Sequence, residues 1–184
     1  DGSETNTVLM KQIAIEADFL AALKDNGVPA IWRPLHEMNG NWFWFCTASG
    51  QHRVSADVFV DFWKYIYNYY TVERGLDNLL WCYSPNTSSV DPTEPGGTLY
   101  YYPGDQYVDI VGVDWYTKGA REIKDSDNYL DLVNTTGKMG AMTEFGPNGS
   151  VKAPSAELQP EYYSTERLMS ELMKLRDEGY SFAY

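Results

Sequence analysis

The sequence from Ile31 to Trp44 reads IWRPLHEMNGNWFW, and the rest of the chain is organised around it. Its first residues complete a short apolar run, which predicts a buried strand. Arg33, His36 and Glu37 follow where this strand ends, and a turn then leads into an aromatic loop. A carboxyl group that is buried without partners holds its proton to higher pH, which suits a general acid. Glu37 is therefore a candidate catalytic group.

A structural explanation of the same residues stays open at this point. Arg33 and Glu37 could form a salt bridge at the edge of a domain. A single histidine such as His36 is more often a structural residue than a catalyst. The second half of the chain favours the catalytic interpretation.

The composition limits the possible partners. The chain has 184 residues, of which 43% are hydrophobic, which is enough for one domain with its own core. It carries 26 acidic and 14 basic residues, a net charge of −12. Nucleic acids and anionic membranes bind to clusters of Lys and Arg, so both are disfavoured as partners. We expect a monomer that binds a neutral partner.

Cysteine usage and the two ends of the chain add further expectations. Cys46 and Cys82 have neither CxxC nor zinc-finger spacing, so no disulfide framework and no metal are predicted. No apolar run reaches the length of a membrane span. The chain starts in a loop at Asp1 and ends at Tyr184 inside a predicted strand. We therefore expect residues 1–184 to be one partial domain of a longer protein.

The hydrophobic pattern alternates between helical and strand periods along the whole chain. Helices are predicted at about residues 7–26, 55–70, 126–135 and 164–178. Strands are predicted at about residues 29–35, 79–84, 108–116, 139–144 and 181–184. A long segment rich in Pro, Gly, Ser and Thr, residues 85–107, separates the second and third strands.

These strands are almost continuously apolar, which is typical of a parallel sheet covered by helices. A doubly wound nucleotide-binding sheet is disfavoured because no Gly-rich phosphate loop follows a strand. A (β/α)8 barrel fits better, since polar residues collect where the strands end. Five strands make only part of such a barrel, and we expect four of their apolar residues in its interior: Ile31, Leu80, Ile110 and Met142.

Two glutamates, Glu37 and Glu144, both directly follow apolar stretches of their strands. In a parallel sheet such residues lie at the same edge and face one cleft. Two carboxyl groups across a cleft are the equipment of a glycosidase, in which one donates a proton and the other acts as nucleophile or base. The alternative, two unrelated salt bridges, requires the shared strand-end position to be a coincidence.

Four motifs together resemble glycoside hydrolase family 26: RPLHEMNGNWFW at 33–44, LWCYSPN at 80–86, DIVGVDWY at 109–116 and TEFG at 143–146. The resemblance implies an endo-β-1,4-mannanase on a (β/α)8 barrel of the retaining clan. It covers nearly the whole chain, as about strands four to eight of that barrel. It also implies a mannan-type polysaccharide as substrate, no cofactor, and a secreted or cell-surface location.

The resemblance assigns roles to the motif residues. Glu37 is implied as the acid/base and Glu144 as the nucleophile. Arg33 and Tyr116 would orient Glu144, while His36 would bind sugar hydroxyls or hold the hydrogen-bond network. Trp42 would form part of the sugar platform, and Asn39 and Trp115 complete the expected substrate-binding set.

Other functions stay open. A β-1,3-xylanase or a mixed-linkage β-glucanase of the same family would use the same two glutamates. A non-catalytic carbohydrate-binding protein would use the aromatic residues alone. A zinc protease motif, His-Glu-x-x-His, is excluded at His36 because Gly40 stands where the second histidine belongs.

Overall fold

A computed structural model describes residues 2–47, 54–117, 127–147 and 165–183. Its main elements, in chain order, are α1 (Glu4–Asp25), β1 (Ala30–Trp32), α2 (Ala56–Asn68), β2 (Leu79–Tyr83), β3 (Ile110–Thr117), α3 (Asp127–Thr136), β4 (Met139–Pro147) and α4 (Thr165–Asp177). A π-helical turn, Tyr69–Glu73, continues α2, and a 3-10 turn, Asp105–Tyr107, precedes β3. Across these ranges, no helix combines the length and apolarity needed to cross a membrane.

Local signals explain where the helices begin and end. Ser3 and Ser55 cap α1 and α2, and each side-chain oxygen accepts a hydrogen bond from a backbone N–H three residues later. After α1 the chain turns at Gly27 with φ 70°, a left-handed conformation in which glycine carries no steric cost. All four predicted helices are present, with ends displaced by three residues or fewer.

The sheet is parallel, in the order β1-β2-β3-β4. The predicted fifth strand is wrong for the residues described, because 180–183 form no strand. Only one backbone hydrogen bond, from the N–H of Ala183 to the carbonyl of Gly140 at 2.7 Å, joins this segment to β4. A strand needs a repeated ladder of such bonds, and Tyr184 lies outside the described residues.

The two faces of the sheet have different environments. The helices cover one face, and the core on that side contains Leu20, Phe59, Trp63, Trp81, Tyr83, Val111, Val113, Leu132, Met142 and Leu175. The opposite face carries a small separate cluster of Cys82, Ile110 and Ala141.

The interior residues predicted from the sequence divide between these faces. Ile31 and Leu80 lie on the uncovered face and are 47% and 45% exposed. Ile110 lies on the same face but is buried among its neighbours. The prediction is wrong for Met142, which pairs with Val113 and packs on the helix side, because side chains alternate between the faces of a strand.

Candidate active site

Polar side chains from all four strands meet at the carboxyl end of the sheet. Arg33 follows β1, Ser84 follows β2, Asp114 lies in β3 and Glu144 lies in β4. Arg33 and Glu144 are bonded to each other although 111 positions separate them. Parallel strands end at one edge, and this brings such distant residues together.

An irregularity in β4 directs Glu144 into this cluster. Val113 pairs with Met142, but the next pair joins Asp114 to Glu144, so Thr143 has no residue opposite it. With regular pairing, Thr143 would lie opposite Asp114 and Glu144 would point to the helix side. The extra residue is a β-bulge, which places the side chains of both Thr143 and Glu144 on the site.

Arg33 links two carboxylates. One terminal nitrogen donates to both oxygens of Asp114, at 3.1 and 3.0 Å, and the other donates to Oε1 of Glu144 at 2.6 Å. The rigid, planar guanidinium holds its partners in a fixed geometry. The structural alternative required a salt bridge between Arg33 and Glu37, but Arg33 pairs with Asp114 and Glu144 instead.

Asp114 anchors this arrangement and is fully buried. The hydroxyl groups of Ser84 and Thr143 donate to its Oδ1 at 2.7 and 2.6 Å, in addition to the bonds from Arg33. Burial raises the pKa of the Asp114 carboxyl, against the lowering effect of these hydroxyls and of the Arg33 charge. The hydroxyl groups of Ser84 and Thr143 hold the buried Asp114 carboxyl group in one orientation, and Asp114 in turn orients Arg33.

Glu144 is held as a carboxylate. The hydroxyl of Tyr116 donates to its Oε2 at 2.7 Å, opposite the bond from Arg33. Burial would raise the pKa of Glu144, but the bonds from Tyr116 and Arg33 and the charges of Arg33 and His36 outweigh it, so the pKa lies below its usual value. The same bond raises the pKa of Tyr116 to about 12.

The backbone at Glu37 is strained. Leu35 and Glu37 have φ values of 53° and 55°, in the left-handed region that residues with a side chain rarely adopt. The N–H of Glu37 donates to the carbonyl of Ser84 at 2.8 Å, which ties this turn to the end of β2. Such strain persists only when neighbouring contacts hold it, and it occurs often at functional sites.

The Glu37 carboxyl group has two neutral donors. The indole Nε1 of Trp42 donates to Oε2 at 2.7 Å, and the side-chain amide of Asn86 donates to Oε1 at 2.8 Å. The expectation of a buried carboxyl group without partners is therefore wrong, because the loops after β1 and β2 each supply a donor. Glu37 differs from Glu144 in that no cation is bonded to it within the described residues.

Asn39 fixes the loop that carries Asn86. Its side-chain amide donates to the carbonyl of Asn86 at 2.8 Å and to that of Gly96 at 3.2 Å, and its oxygen accepts the N–H of Asn86 at 2.9 Å. With these bonds Asn39 acts on the site through Asn86. A cavity of about 260 Å³ borders this loop, with Trp42 and Asn86 in its wall.

A sequence model of glycosyl hydrolase family 26 matches residues 1–165. The chain belongs to glycosyl hydrolase family 26. A mannan endo-1,4-β-mannosidase from Bacillus subtilis strain 168 is 40% identical to it over 155 residues, which are 82% of this chain and 39% of that protein. The chain spans 39% and 35% of the length of two Bacillus subtilis mannan endo-1,4-β-mannosidases, and smaller shares of other curated relatives.

Solved structures of mannanases share its fold. A Bacillus subtilis mannanase aligns with a TM-score of 0.68 at 36% identity, over 79% of this chain and 42% of its own. A β-mannanase from a symbiotic protist of the termite Reticulitermes speratus, complexed with gluco-manno-oligosaccharide, aligns with a TM-score of 0.61 at 33% identity, over 84% and 43%. The resemblance to family 26 and the predicted fold class, part of a (β/α)8 barrel, are both confirmed.

The remaining residues predicted for the family 26 site lie in different places. Nε2 of His36 is 3.8 Å from Oε1 of Glu144, and its ring packs against Phe43 with 4.9 Å between centroids. Trp42 is 53% exposed beside Glu37. Trp115 is buried in the helix-side core, because it alternates with Asp114 and Tyr116 along β3, and we leave it out of the site.

The sequence assigned no role to four polar residues of the site: Ser84, Asn86, Asp114 and Thr143. Ser84, Asn86 and Asp114 are polar residues at the ends of apolar strands, and this signal was visible in the sequence. The register of the sheet decides that Ser84 contacts Asp114 and that Asn86 contacts Glu37. The role of Thr143 depends on the bulge, which has no signature in the sequence.

A metal ion at this position would compete with the ion pairs described above. Within the described residues, His36, Asp114 and Glu144 offer ligand atoms that lie within 4.8 Å of one another. The Arg33 guanidinium already bonds to both carboxylates, so a metal ion would have to displace this cation. The arrangement is better suited to holding carboxylates for acid–base and nucleophilic chemistry.

Proposed function

We propose that this chain forms part of a retaining, endo-acting β-1,4-mannanase in which Glu37 is the acid/base and Glu144 the nucleophile. The unequal environment of the two glutamates carries this proposal. Glu144 is bonded to a cation and to a phenol that keep it ionised, whereas Glu37 is bonded to neutral N–H donors. Two carboxyl groups in contrasting environments are the usual basis for dividing acid and nucleophile roles.

In the first step, a Glu144 oxygen attacks the anomeric carbon of the sugar and forms a covalent ester. The bond from that carbon to the glycosidic oxygen breaks, and Glu37 transfers its proton to this oxygen, so that the leaving sugar departs neutral. To donate that proton, Glu37 has to be protonated at one of the oxygens that now accept from Trp42 and Asn86.

In the second step, Glu37 takes a proton from a water molecule, whose oxygen attacks the same anomeric carbon. The bond to Glu144 breaks and its carboxylate is restored, still bonded to Arg33 and Tyr116. Two inversions at one carbon give a product with the original β configuration. For a retaining mechanism, we expect the carboxyl groups of Glu37 and Glu144 to lie about 5–5.5 Å apart.

The names of the relatives support mannan as the substrate. Curated proteins that are 40% and 42% identical to this chain are named mannan endo-1,4-β-mannosidases. The mannanase complex with gluco-manno-oligosaccharide favours, as a second candidate, a polymer that contains glucose as well as mannose. Both substrates are neutral, in keeping with a chain whose net charge is −12.

The test uses the complete natural polypeptide with mannan, glucomannan, mixed-linkage β-glucan and β-1,3-xylan. We expect internal cleavage of mannan, with ¹H NMR detecting the β anomer as the first product, and no cleavage by a Glu144→Gln variant. An α anomer as the first product would contradict the retaining mechanism. Binding to mannan without hydrolysis of any of the four polymers would instead identify a carbohydrate-binding protein.

We further propose a secreted or cell-surface location, because a polysaccharide such as mannan has to be cut into short sugars before these enter a cell. Fractionation of a culture of the source organism, followed by detection of this protein with an antibody, tests the location. Recovery in the intracellular fraction alone would contradict it.

A further inference from the structure

The indole ring of Trp42 lies directly on Gly40. A Cβ atom built on Gly40 would be 2.5 Å from Cη2 and Cζ2 of Trp42 and 2.7 Å from Cε2. Carbon atoms in favourable contact are about 3.5–4.0 Å apart, so any side chain at position 40 would overlap this ring. The backbone of Gly40 is not in the left-handed region, so the requirement for glycine comes from the ring and not from φ.

This contact adjoins the hydrogen bond to Glu37. Cε2 is the ring atom bonded to Nε1, and Nε1 donates to Oε2 of Glu37 at 2.7 Å. The N–H of Gly40 also donates to the carbonyl of Glu37 at 2.9 Å, so one tight turn contains the acid, the glycine and the indole. Trp42 is 53% exposed, so Gly40 lies under the ring and solvent faces much of the rest.

We propose that Gly40 is a positioning residue, whose missing side chain lets the Trp42 indole lie low enough to hold Oε2 of Glu37. The inference rests on the proposed function for the catalytic role of Glu37. The seating of the ring is a separate statement, which can be tested without any activity.

The expected effect of a methyl group at position 40 follows from the distances. To restore an ordinary contact, the ring has to move outward by about 1 Å. A movement of this size takes a hydrogen bond of 2.7 Å out of range or out of line. Because the ring is half exposed, it can move into solvent while the strands and helices stay in place.

The experiment compares Gly40→Ala with Trp42→Phe, which keeps an aromatic ring but removes the N–H donor. Trp44→Phe is the matched control, because Trp44 is an exposed tryptophan of the same loop whose ring contacts are with Phe45 and Phe62. All variants are made in the complete natural polypeptide. The indole ¹H–¹⁵N resonance of Trp42 is assigned by its absence in Trp42→Phe, and kcat/KM is measured on mannan and on an aryl mannobioside with a good leaving group.

We expect Gly40→Ala to shift the Trp42 indole resonance and to lower kcat/KM on mannan by about 10- to 100-fold, the effect of removing the donor from one buried hydrogen bond. Trp42→Phe should show a similar loss, and both losses should be smaller on the aryl mannobioside, which needs less protonation. Trp44→Phe should change neither readout. An unchanged indole resonance in Gly40→Ala would overturn the proposal, whatever the activity.

A double-mutant cycle keeps the test decisive if Gly40→Ala folds poorly. In a Trp42→Ala background there is no ring to displace, so Gly40→Ala should then change neither Tm nor kcat/KM. Equal effects of Gly40→Ala with and without the indole would overturn the proposal. If the indole resonance behaves as expected but mannan is not cleaved, the proposed function fails and the seating of the ring stands.

Discussion

At the scale of single residues, the two glutamates are distinguished by their donors. Arg33 brings a full positive charge to Glu144, and the buried Asp114 holds Arg33 in place. Trp42 and Asn86 bring only neutral N–H groups to Glu37. Charge-assisted bonds favour the ionised form more strongly than neutral ones do, so the two hydrogen-bond shells support the proposed division of roles.

The acid role proposed for Glu37 can be tested separately from its proposed base role by the choice of leaving group. We expect Glu37→Ala to lower kcat/KM on mannan by about 10²–10⁴-fold, because general acid catalysis is lost. An aryl mannobioside with a good leaving group should keep most of its kcat/KM, which reports formation of the glycosyl-enzyme. Equal losses on the two substrates, measured side by side, would contradict the assignment.

The bond from Tyr116 to Glu144 predicts a pH effect. As the proposed nucleophile, Glu144 must be ionised, and the bonds from Tyr116 and Arg33 keep its pKa below the usual value. In Tyr116→Phe the pKa of Glu144 should rise, so the acidic limb of the kcat/KM profile should move to higher pH. Tyr116 itself stays protonated throughout this range, since its pKa is about 12.

A second tyrosine provides the control for this profile. The hydroxyl of Tyr102 donates to Asp105, so Tyr102→Phe removes a comparable bond that does not involve either glutamate. Its acidic limb should coincide with that of the unsubstituted protein. A Tyr116→Phe profile that coincides as well would show that the phenol does not control ionisation of the nucleophile.

At the scale of elements, α2 and β2 form the centre of the helix-side core. Phe59 and Trp63 of α2 are buried, and the Trp63 ring packs at 6.0 Å from Trp81 and 5.9 Å from Tyr83. The end of β2 continues into Ser84 and Asn86, which contact Asp114 and Glu37. Packing of α2 therefore supports the position of the site through one short strand.

A cavity between α2 and the sheet should lower the free energy of unfolding. Phe59→Ala is expected to lower the free energy of unfolding by about 3–5 kcal/mol, the usual cost of removing a buried aromatic side chain. Val58→Ala on the exposed side of the same helix should change it by about 0.5 kcal/mol or less. Urea denaturation of the two variants, made in the complete natural polypeptide, checks this. Similar denaturation midpoints for Phe59→Ala and Val58→Ala would contradict the packing described.

At the scale of the whole molecule, the sheet has one covered and one uncovered face. Ile31 and Leu80 expose nearly half of their side chains on the uncovered face. Within the described residues β1 pairs with β2 alone, so its other edge presents unpaired backbone groups. Exposed apolar residues beside an open edge favour association with other chains.

Residues 1–184 expressed alone should therefore be aggregation-prone and inactive on mannan. A double substitution, Ile31→Ser with Leu80→Ser, should reduce binding of a hydrophobic dye and increase the monomer fraction in size-exclusion chromatography. The control, Val8→Ser with Phe19→Ser, alters exposed apolar residues of α1 and should have a smaller effect. A cooperatively melting, active monomer of the unsubstituted 184 residues would contradict this expectation.

The sequence by itself determined the helices, four parallel strands and the strand-end positions of Glu37 and Glu144, because apolar periodicity and Gly or Pro boundaries act over a few residues. The four motifs also determined the family. Tertiary structure alone decided that Arg33 also bonds to Asp114 and does not pair with Glu37, four residues away in the chain. Its bond to Glu144 agrees with the role that the family resemblance implied. Tertiary structure also decided that a bulge at Thr143 turns Glu144 toward the site and that residues 180–183 form no strand. These contacts join residues from different strands, so they depend on strand register, which local patterns do not encode.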